Sequence, residues 1–273
     1  MSMTIEFQEQ TAFLDTKAHS RFVEFAEACI QHRYIGVCHG RPGVGKTRSA
    51  HEFAQWPEHF TYDLNDEVSA DLEAQVRACR AIFVTARVSN TPKTIDSQLS
   101  TPMFWLGHAR LRISGQYEEP FLLDNAKQAI PLVVVDEADR LSLKSFEQLR
   151  HVYDECGMGL ILLGMPGIEK RLARYPQLYS RIGFVHEFKP LNEDEMRFLF
   201  PRHSETFGLT FDTDQFEHVE AMSMAIRVTR GNFRLIERLF AQMKRIMAVN
   251  NITEVSGGVV EAARECLVIG PKD

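Results

Sequence analysis

Residues 40–47 read Gly-Arg-Pro-Gly-Val-Gly-Lys-Thr, and this stretch decides how the rest of the chain is interpreted. It matches the pattern G-x-x-x-x-G-K-[ST] in full, with an apolar run before it and a helical pattern after it. The glycines let backbone N–H groups turn inward around phosphate oxygens, and the dipole of the following helix attracts the same anion. The sequence therefore predicts a nucleoside triphosphate site, the P-loop, with these binding residues: Gly40, Pro42, Gly43, Val44, Gly45, Lys46, Thr47 and Arg48.

A second stretch, Leu-Val-Val-Val-Asp-Glu at residues 132–137, complements the P-loop. A buried strand that ends in a carboxylate delivers it to the edge of an open α/β sheet where nucleotides bind. We expect Lys46 to reach the β- and γ-phosphates of ATP, and Thr47 and Asp136 to hold Mg²⁺. Glu137 is expected to polarise the attacking water as general base, which distinguishes an ATPase from a protein that only binds the nucleotide.

Short apolar runs recur along the first two thirds of the chain and are rich in leucine or β-branched residues, as expected for strands covered on both faces. Helical patterns separate them, beginning with residues 17–31, which precede the first run. Alternation of strands and helices predicts an α/β fold, a parallel sheet within three layers. The predicted strands lie at residues 34–38, 81–85, 131–135, 160–163 and 183–188.

Beyond Pro190 the pattern becomes helical, and Asn192 has the character of a helix N-cap. We therefore expect three segments. An N-terminal helical segment, residues 1–33, leads into an ATPase core at residues 34–190, and a small helical lid follows at residues 191–273.

The overall composition limits the classes of partner and location. Charged residues make up 25% of the chain and the formal net charge is −6, so any DNA-binding surface has to be a local basic patch. The five cysteines include no C-x-x-C spacing, which is typical of a reducing compartment. No apolar run approaches the roughly 18 residues of a membrane-spanning helix. The sequence thus predicts a cytoplasmic protein without a membrane partner.

The letters Asp-Glu-Ala-Asp at residues 136–139 are also the hallmark of a helicase superfamily. Such helicases resemble two tandem RecA-like domains, whereas only about 80 residues follow the last predicted strand here. The chain instead resembles the AAA+ ATPases, in which an α/β domain with both nucleotide motifs precedes a small helical lid. This resemblance implies that the fold is a P-loop AAA+ three-layer parallel sheet domain followed by such a lid.

Two arginines match further AAA+ motifs. Arg181, just before the last predicted strand, resembles the arginine finger that reaches the nucleotide of a neighbouring subunit. Arg234, in Gly-Asn-Phe-Arg at residues 231–234, resembles the sensor-2 arginine that faces the γ-phosphate of its own subunit. A surface salt bridge is the alternative role for each. One departure is Gly-Met-Pro at residues 164–166, where the sensor-1 position usually holds a polar residue. Hydrolysis is expected to be slow, or another group positions the water.

Within AAA+, the chain most resembles the transposition ATPases of the TnsC, TniB and MuB type. The resemblance rests on the P-loop with its preceding strand, on Val-Val-Val-Asp-Glu-Ala-Asp-Arg-Leu at residues 133–141, and on Gly-Leu-Ile-Leu-Leu-Gly-Met-Pro at residues 159–166. It implies DNA-stimulated ATPase activity and a homo-oligomer, a ring or helical filament, on duplex DNA. The implied partners are a transposase, which the oligomer recruits to target DNA, and a target-selection protein.

Two other AAA+ roles fit the same motifs. A helicase-loader or clamp-loader-like ATPase would also use Arg181 between subunits but would act on a protein ring. A signalling ATPase of the STAND type usually carries long repeat and effector domains, for which this chain has no room.

DNA binding without sequence preference needs cations that meet phosphates. A polar stretch after the second predicted strand resembles the place where related proteins present a pore-lining element to DNA, and it contains Lys93 and Thr94. Arg140 follows the acidic motif, so we expect these three residues to contact DNA. A solvated helix face is the alternative for each basic group. A further group lies in the lid: Arg227, Arg230, Arg234, Arg238, Lys244 and Arg245.

Overall fold

The computed structural model describes residues 13–57, 68–117 and 123–267. The chain divides into two compact units, and most of the division falls between Phe188 and Lys189. The sheet unit comprises His19–Pro42 and Lys46–Phe188, and the helical unit comprises Met1–Ala18, Gly43–Gly45 and Lys189–Asp273, each over its described residues.

The sheet unit contains one five-stranded sheet in the order β2-β3-β4-β1-β5. All four strand pairings are parallel, with Val37 opposite Leu162 and Val133 opposite Leu160. This confirms the predicted α/β fold with a parallel sheet. The strands are β1 Ile35–His39, β2 Ile82–Thr85, β3 Leu132–Asp136, β4 Gly159–Gly164 and β5 Ile182–Glu187.

The central strands are the most apolar because helices cover both faces of the sheet. All residues of β3 and β4 are buried, whereas β5, at one edge, alternates half-buried and exposed residues. The core helices are amphipathic, and the position of their ends follows from capping residues. The helices of this unit are α1 Lys17–His32, α2 Lys46–Ala54, α3 Ala70–Ala78, α4 Pro92–Ile113, α5 Leu123–Gln128, α6 Leu143–Cys156, α7 Ile168–Leu172 and α8 Pro176–Tyr179.

Helix α4 begins inside the polar stretch that resembles a pore-lining element. Thr91 is its N-cap and accepts a hydrogen bond from the Thr94 backbone N–H at 3.2 Å, and Pro92 is its first residue. A proline at the first helical position loses no backbone hydrogen bond. Lys93 and Thr94 therefore lie in the first turn of a 22-residue helix.

The helical unit packs four helices around an aromatic core. Asn192 and Glu195 form a capping box at the start of the first helix, with hydrogen bonds of 2.8 and 2.9 Å. Phe240 is fully buried and packs edge to face on Phe200. The helices are α9 Glu193–Glu205, α10 Phe216–Thr229, α11 Phe233–Asn250 and α12 Gly257–Glu265. Of the segments predicted at residues 1–33 and 191–273, residues 1–12 and 268–273 lie outside the described part of the chain. In that part, no helix combines the length and apolar character that crossing a bilayer requires.

Candidate active site

The P-loop connects β1 to α2. The acidic motif, Asp136 and Glu137, begins at the last residue of β3, so both motifs lie at the carboxyl edge of the parallel sheet. Gly40 is buried, and a methyl group at this position would lie 2.3 Å from the Phe188 carbonyl oxygen. Only glycine fits there without displacing the backbone that follows β5. Val44 is also buried, whereas Pro42 is exposed and Arg48 is half-buried.

Lys46 is the first residue of α2 and is 9% exposed. Its Nζ donates to the carbonyl oxygens of Gly40 at 2.6 Å and Arg41 at 3.0 Å. Burial lowers the pKa of Lys46, while the neighbouring Cys38 and Asp136 act in the opposite direction. The ammonium group is thus held by the loop itself, where a phosphate oxygen can replace a carbonyl partner.

Thr47 and Asp136 meet although 89 residues separate them in sequence. Thr47 Oγ1 donates to Asp136 Oδ2 at 2.8 Å, and the other carboxylate oxygen accepts from the Glu137 backbone N–H at 2.8 Å. Asp136 is 5% exposed. A hydroxyl and a carboxylate side by side fit Mg²⁺, which binds proteins through one or two oxygen ligands plus substrate phosphates. Within the described residues, no three His, Cys, Asp or Glu side chains are grouped as a metal site.

Glu137 has a left-handed backbone conformation, with φ 54° and ψ 37°. Non-glycine residues in this region cost free energy and concentrate at functional sites. The side chain is about half exposed, and its Oε2 lies 3.7 Å from Arg140 Nη2. Arg140 Nη1 in turn donates to the Ala86 carbonyl oxygen at 3.1 Å. The structure therefore places Arg140, predicted to contact DNA, against the predicted general base.

Asn90 ties the loop after β2 to the acidic motif, a role that the sequence did not reveal. Its Nδ2 donates to the Arg140 carbonyl oxygen at 2.8 Å, and its Oδ1 accepts from Ser145 Oγ at 2.6 Å and from the Ser142 N–H at 3.1 Å. No motif marks this role, because these three partners lie 50 to 55 residues away in sequence, in addition to a local bond to the Arg87 carbonyl oxygen at 3.1 Å. Only the fold brings the two loops together.

Asp139 provides a polar group at the end of β4, where the sequence lacked the expected one. Its Oδ2 accepts from the Met165 backbone N–H at 2.8 Å. A methyl group added to Gly164 would lie 2.9 Å from the same oxygen and 2.6 Å from Ile168 Cδ1. The carboxylate thus occupies the space that a side chain at residue 164 would need. Asp139 is the last of the Asp-Glu-Ala-Asp letters, but its spacing from residue 164 gives no sequence signal for this contact.

Arg181 directly precedes β5 and forms a two-point ion pair with Asp154 of α6. Nε lies 2.6 Å from Oδ1 and Nη2 lies 2.9 Å from Oδ2. Arg150 Nη1 donates to the same Oδ2 at 2.7 Å, so one carboxylate holds two guanidinium groups. The Arg181 side chain remains about one-third exposed.

Arg234 is the second residue of α11 in the helical unit and is exposed. Its backbone N–H donates to the Gly43 carbonyl oxygen at 3.0 Å, a contact within that unit. The N-cap of α11, Asn232, accepts from the Leu235 N–H at 3.2 Å. Gly43 has φ 79°, and a methyl group there would lie 2.5 Å from Asn232 Oδ1, so both conformation and space require glycine.

Lys93 is exposed on the first turn of α4, and Thr94 Oγ1 lies 2.9 Å from Thr91 Oγ1. Among the described residues, neither side chain forms a hydrogen bond with the P-loop or with Asp136 and Glu137. In this respect they differ from Arg140, which lies 3.7 Å from Glu137.

Comparison with known proteins places the site in a family context. A family model described as an AAA domain matches residues 29–172. A potential ATP-binding protein of Staphylococcus aureus is 40% identical over 273 residues, covering 94% of this chain and 97% of that protein. The Mu-like prophage FluMu DNA transposition protein B of Haemophilus influenzae is 24% identical over 86% of this chain and 74% of its own length. The replication factor C large subunit of Haloquadratum walsbyi is 30% identical over 126 residues, 45% of this chain and 24% of that subunit.

Solved structures share the fold at low sequence identity. The RuvB Holliday junction branch migration motor of Thermotoga maritima superimposes with a TM-score of 0.58 and 16% identity, over 93% of this chain and 70% of that one. The ORC2 protein of Aeropyrum pernix gives a TM-score of 0.60 and 15% identity, over 94% of this chain and 70% of that one.

Proposed function

The chain belongs to the AAA domain family, and on this premise we propose that it is an AAA+ ATPase that assembles on duplex DNA when loaded with ATP and directs a transposase to its target DNA. The hydrogen bond between Thr47 and Asp136 carries the ATPase part, because it joins the two nucleotide motifs directly. The transposition part is supported by the similarity to DNA transposition protein B, which spans 86% of the chain.

Nucleotide binding uses the P-loop. Lys46 exchanges a carbonyl partner for the β- and γ-phosphate oxygens of ATP, and this exchange needs little movement because the ammonium group is already at the loop. Thr47 and Asp136 would hold Mg²⁺, and the ion would supply positive charge beside the transferred phosphoryl group. At Gly40 and Gly43 a side chain would collide with neighbouring atoms, so glycine preserves the conformation of the loop.

Four side chains take part in the proposed hydrolysis. Glu137 orients and deprotonates the attacking water. Arg181 acts on the nucleotide of a neighbouring subunit, and Arg234 acts on the γ-phosphate of its own subunit, in the manner of the AAA+ motifs that they match. Asp139, fixed at the end of β4 by the Met165 N–H, supplies the polar group that residues 164–166 lack.

DNA binding and partner recruitment complete the proposal. ATP-loaded subunits form a ring or helical filament on duplex DNA, and this assembly recruits the transposase, alone or with a target-selection protein. Lys93 and Thr94, on the exposed first turn of α4, contact DNA. Arg140 acts on Glu137 in addition to any DNA contact, because its guanidinium is already engaged with Ala86 and lies next to Glu137.

A second candidate is a loader that acts on a protein ring. The 30% identity to the replication factor C large subunit over 126 residues favours it. This role uses the same ATPase site and Arg181 but predicts stable complexes with a protein partner in the absence of DNA.

The test is electron microscopy of the purified protein with duplex DNA and a slowly hydrolysed ATP analogue. ADP in place of the analogue and the Lys46→Ala variant are the controls. Rings or filaments on DNA that require the triphosphate are expected. Triphosphate-dependent rings that form equally well without DNA would instead favour the loader, and absence of any assembly would contradict both roles.

A further inference from the structure

We infer a second polyanion-binding surface, on the helical unit, that contacts the phosphate backbone of duplex DNA. This inference rests on the proposed function in taking duplex DNA as the ligand, but it concerns residues other than those of the P-loop and the first turn of α4. We call this surface the basic face. It consists of the exposed cations at the end of α10 and along α11: Arg227, Arg230, Arg234, Arg238, Lys244 and Arg245.

The charge of this segment is opposite to that of the whole chain. Residues 227–245 contain six arginine and lysine side chains and one carboxylate, Glu237, a net charge of +5 in a chain of net charge −6. All six cationic residues are exposed. Such a local concentration of positive charge is what binding to phosphates requires, since release of the counterions around DNA supplies much of the affinity.

The cations of the basic face are not neutralised by the rest of the unit. None of the six forms an ion pair with any residue that the structure describes, and Arg245 Nε donates instead to the neutral Gln242 Oε1 at 2.9 Å. Two of the three arginines elsewhere in the described part of this unit form ion pairs, Arg197 with Glu193 and Arg264 with Glu261, both at 2.8 Å, and the third, Arg202, lies over the Phe198 ring. The basic face differs from these positions because its cations have neither a carboxylate nor an aromatic partner among the described residues.

Helix geometry aligns three of these arginines. At 100° per residue, Arg234, Arg238 and Arg245 fall within roughly 40° of each other around the axis of α11, over a length of about 16 Å. That length corresponds to roughly five base-pair steps of duplex DNA. The opposite side of the helix is fixed in the core through these buried residues: Ile236, Leu239, Phe240, Met243 and Met247. The arginine row is consequently held outward by packing.

The chemistry of the face favours phosphate over an acidic protein surface. Five of the six cations are arginines, whose planar guanidinium groups bind phosphate oxygens in pairs. A protein partner would be expected to find an apolar anchor at the centre of the face. The exposed residue between the arginines is Ala241, and the exposed Val249 lies at the far end of α11. The surface thus offers charge without a central hydrophobic contact.

The test compares two triple variants with the same change in net charge. Arg238→Gln, Lys244→Gln and Arg245→Gln together neutralise the basic face but leave Arg234 unchanged. Arg197→Gln, Arg202→Gln and Arg264→Gln together remove three arginines from α9 and α12 of the same unit. Glutamine has a high helix propensity, so both variants should fold. Circular dichroism and basal ATPase without DNA, which we expect to be unchanged in both, verify this.

The measurement is the anisotropy of a labelled 30-base-pair duplex over a series of salt concentrations, with the ATP analogue and without nucleotide. Wild type and control variant are expected to show the same slope of log affinity against log salt. The slope of the basic-face variant should be smaller by about 2 to 3, with affinity at least tenfold lower at 0.1 M salt.

Equal slopes for the two triple variants would overturn the inference while leaving the proposed function standing if wild type still requires the triphosphate to assemble on DNA. Two results together would support the basic face but contradict the proposed function. The first is a smaller salt slope for the basic-face variant, and the second is wild-type duplex binding that is the same with and without the ATP analogue. An acidic protein surface as ligand is the remaining outcome. Residues 205–220 carry five carboxylates and no lysine or arginine, so loss of DNA-free self-association in the basic-face variant, with duplex binding unaltered, would assign the face to a second copy of this chain.

Discussion

Arg181 donates hydrogen bonds to both carboxylate oxygens of Asp154, from Nε at 2.6 Å and from Nη2 at 2.9 Å. The arginine proposed to act on a neighbouring subunit is therefore oriented by its own subunit. Side chains of arginine lose considerable rotamer entropy when fixed, and an ion pair made before assembly reduces the entropy still to be lost at the reaction. Asp154 is therefore a positioning residue in the proposed mechanism.

Arg181→Ala should lower the ATPase rate of the assembled protein by about a thousandfold, because the charge that stabilises the transition state is lost. Nucleotide affinity of the monomer should remain nearly unchanged. Isothermal titration at a concentration below assembly, beside ATPase assays above it, separates these effects. A loss of monomer affinity as severe as that of Lys46→Ala would show that Arg181 does not act between subunits.

Asp154→Asn should reduce the assembled ATPase rate between roughly 5- and 100-fold, since a misplaced group costs rate more than binding. The Michaelis constant for ATP should change little. Glu147→Gln is the matched control, because it removes the other ion-pair partner of Arg150, at 3.0 Å, without an ion pair to Arg181. Equal rates in the two variants would remove Asp154 from the mechanism.

Glu137→Gln should slow hydrolysis by at least about 100-fold while ATP still binds, because an amide cannot accept the proton of the attacking water. The ATP-bound assembly should then persist on DNA. Single-turnover hydrolysis and nucleotide binding, measured beside Lys46→Ala, distinguish a lost base from a lost binding site. An unchanged single-turnover rate would contradict the assignment of Glu137.

Arg140→Gln should lower the ATPase rate without DNA by roughly tenfold, because the residue that faces the Glu137 carboxylate at 3.7 Å is lost. Lys93→Gln should leave that DNA-free rate unchanged and weaken DNA binding. Both rates are measured with and without a saturating duplex. If the two variants behave alike, Arg140 works as a DNA contact only.

Asn90→Ala should reduce the free energy of unfolding by about 1–3 kcal/mol, because Ser145 and the Arg140 carbonyl oxygen lose their partners in a partly buried site. Urea denaturation with and without ATP measures this. Arg87→Ala, in the same loop, removes an exposed side chain and is the control. A destabilisation no larger than that of the control would mean that water replaces the asparagine.

The sequence was sufficient for the elements whose signal is local. Strands such as β3 and β4 are continuous apolar runs, and the P-loop motif fixes which strand and helix flank it. The approach of Thr47 to Asp136 was foreseeable because parallel strands end at one edge of the sheet. The start of α4 also has a local signal, since Thr91 caps the helix and Pro92 suits its first turn, and the resemblance to a pore-lining stretch does not reveal it.

The contacts between loops could not be predicted in this way. Three hydrogen-bond partners of Asn90 lie 50 to 55 positions away, and the ion pair between Arg181 and Asp154 spans 27 positions. Neither spacing corresponds to a helix or strand period, so no pattern in a single sequence links these residues. Their partners follow from the tertiary arrangement alone.

The carboxylate of Asp139 fills the space beside the Cα of Gly164 that a side chain would need, so the residue types possible at these two positions depend on each other. A lineage that acquires a larger residue at position 164 has to accommodate it within 2.9 Å of that carboxylate, so a smaller or differently placed residue at 139 should accompany it. Among descendants of one ancestor the two positions are therefore expected to change together. Either substitution alone would pass through an intermediate that evolution disfavours.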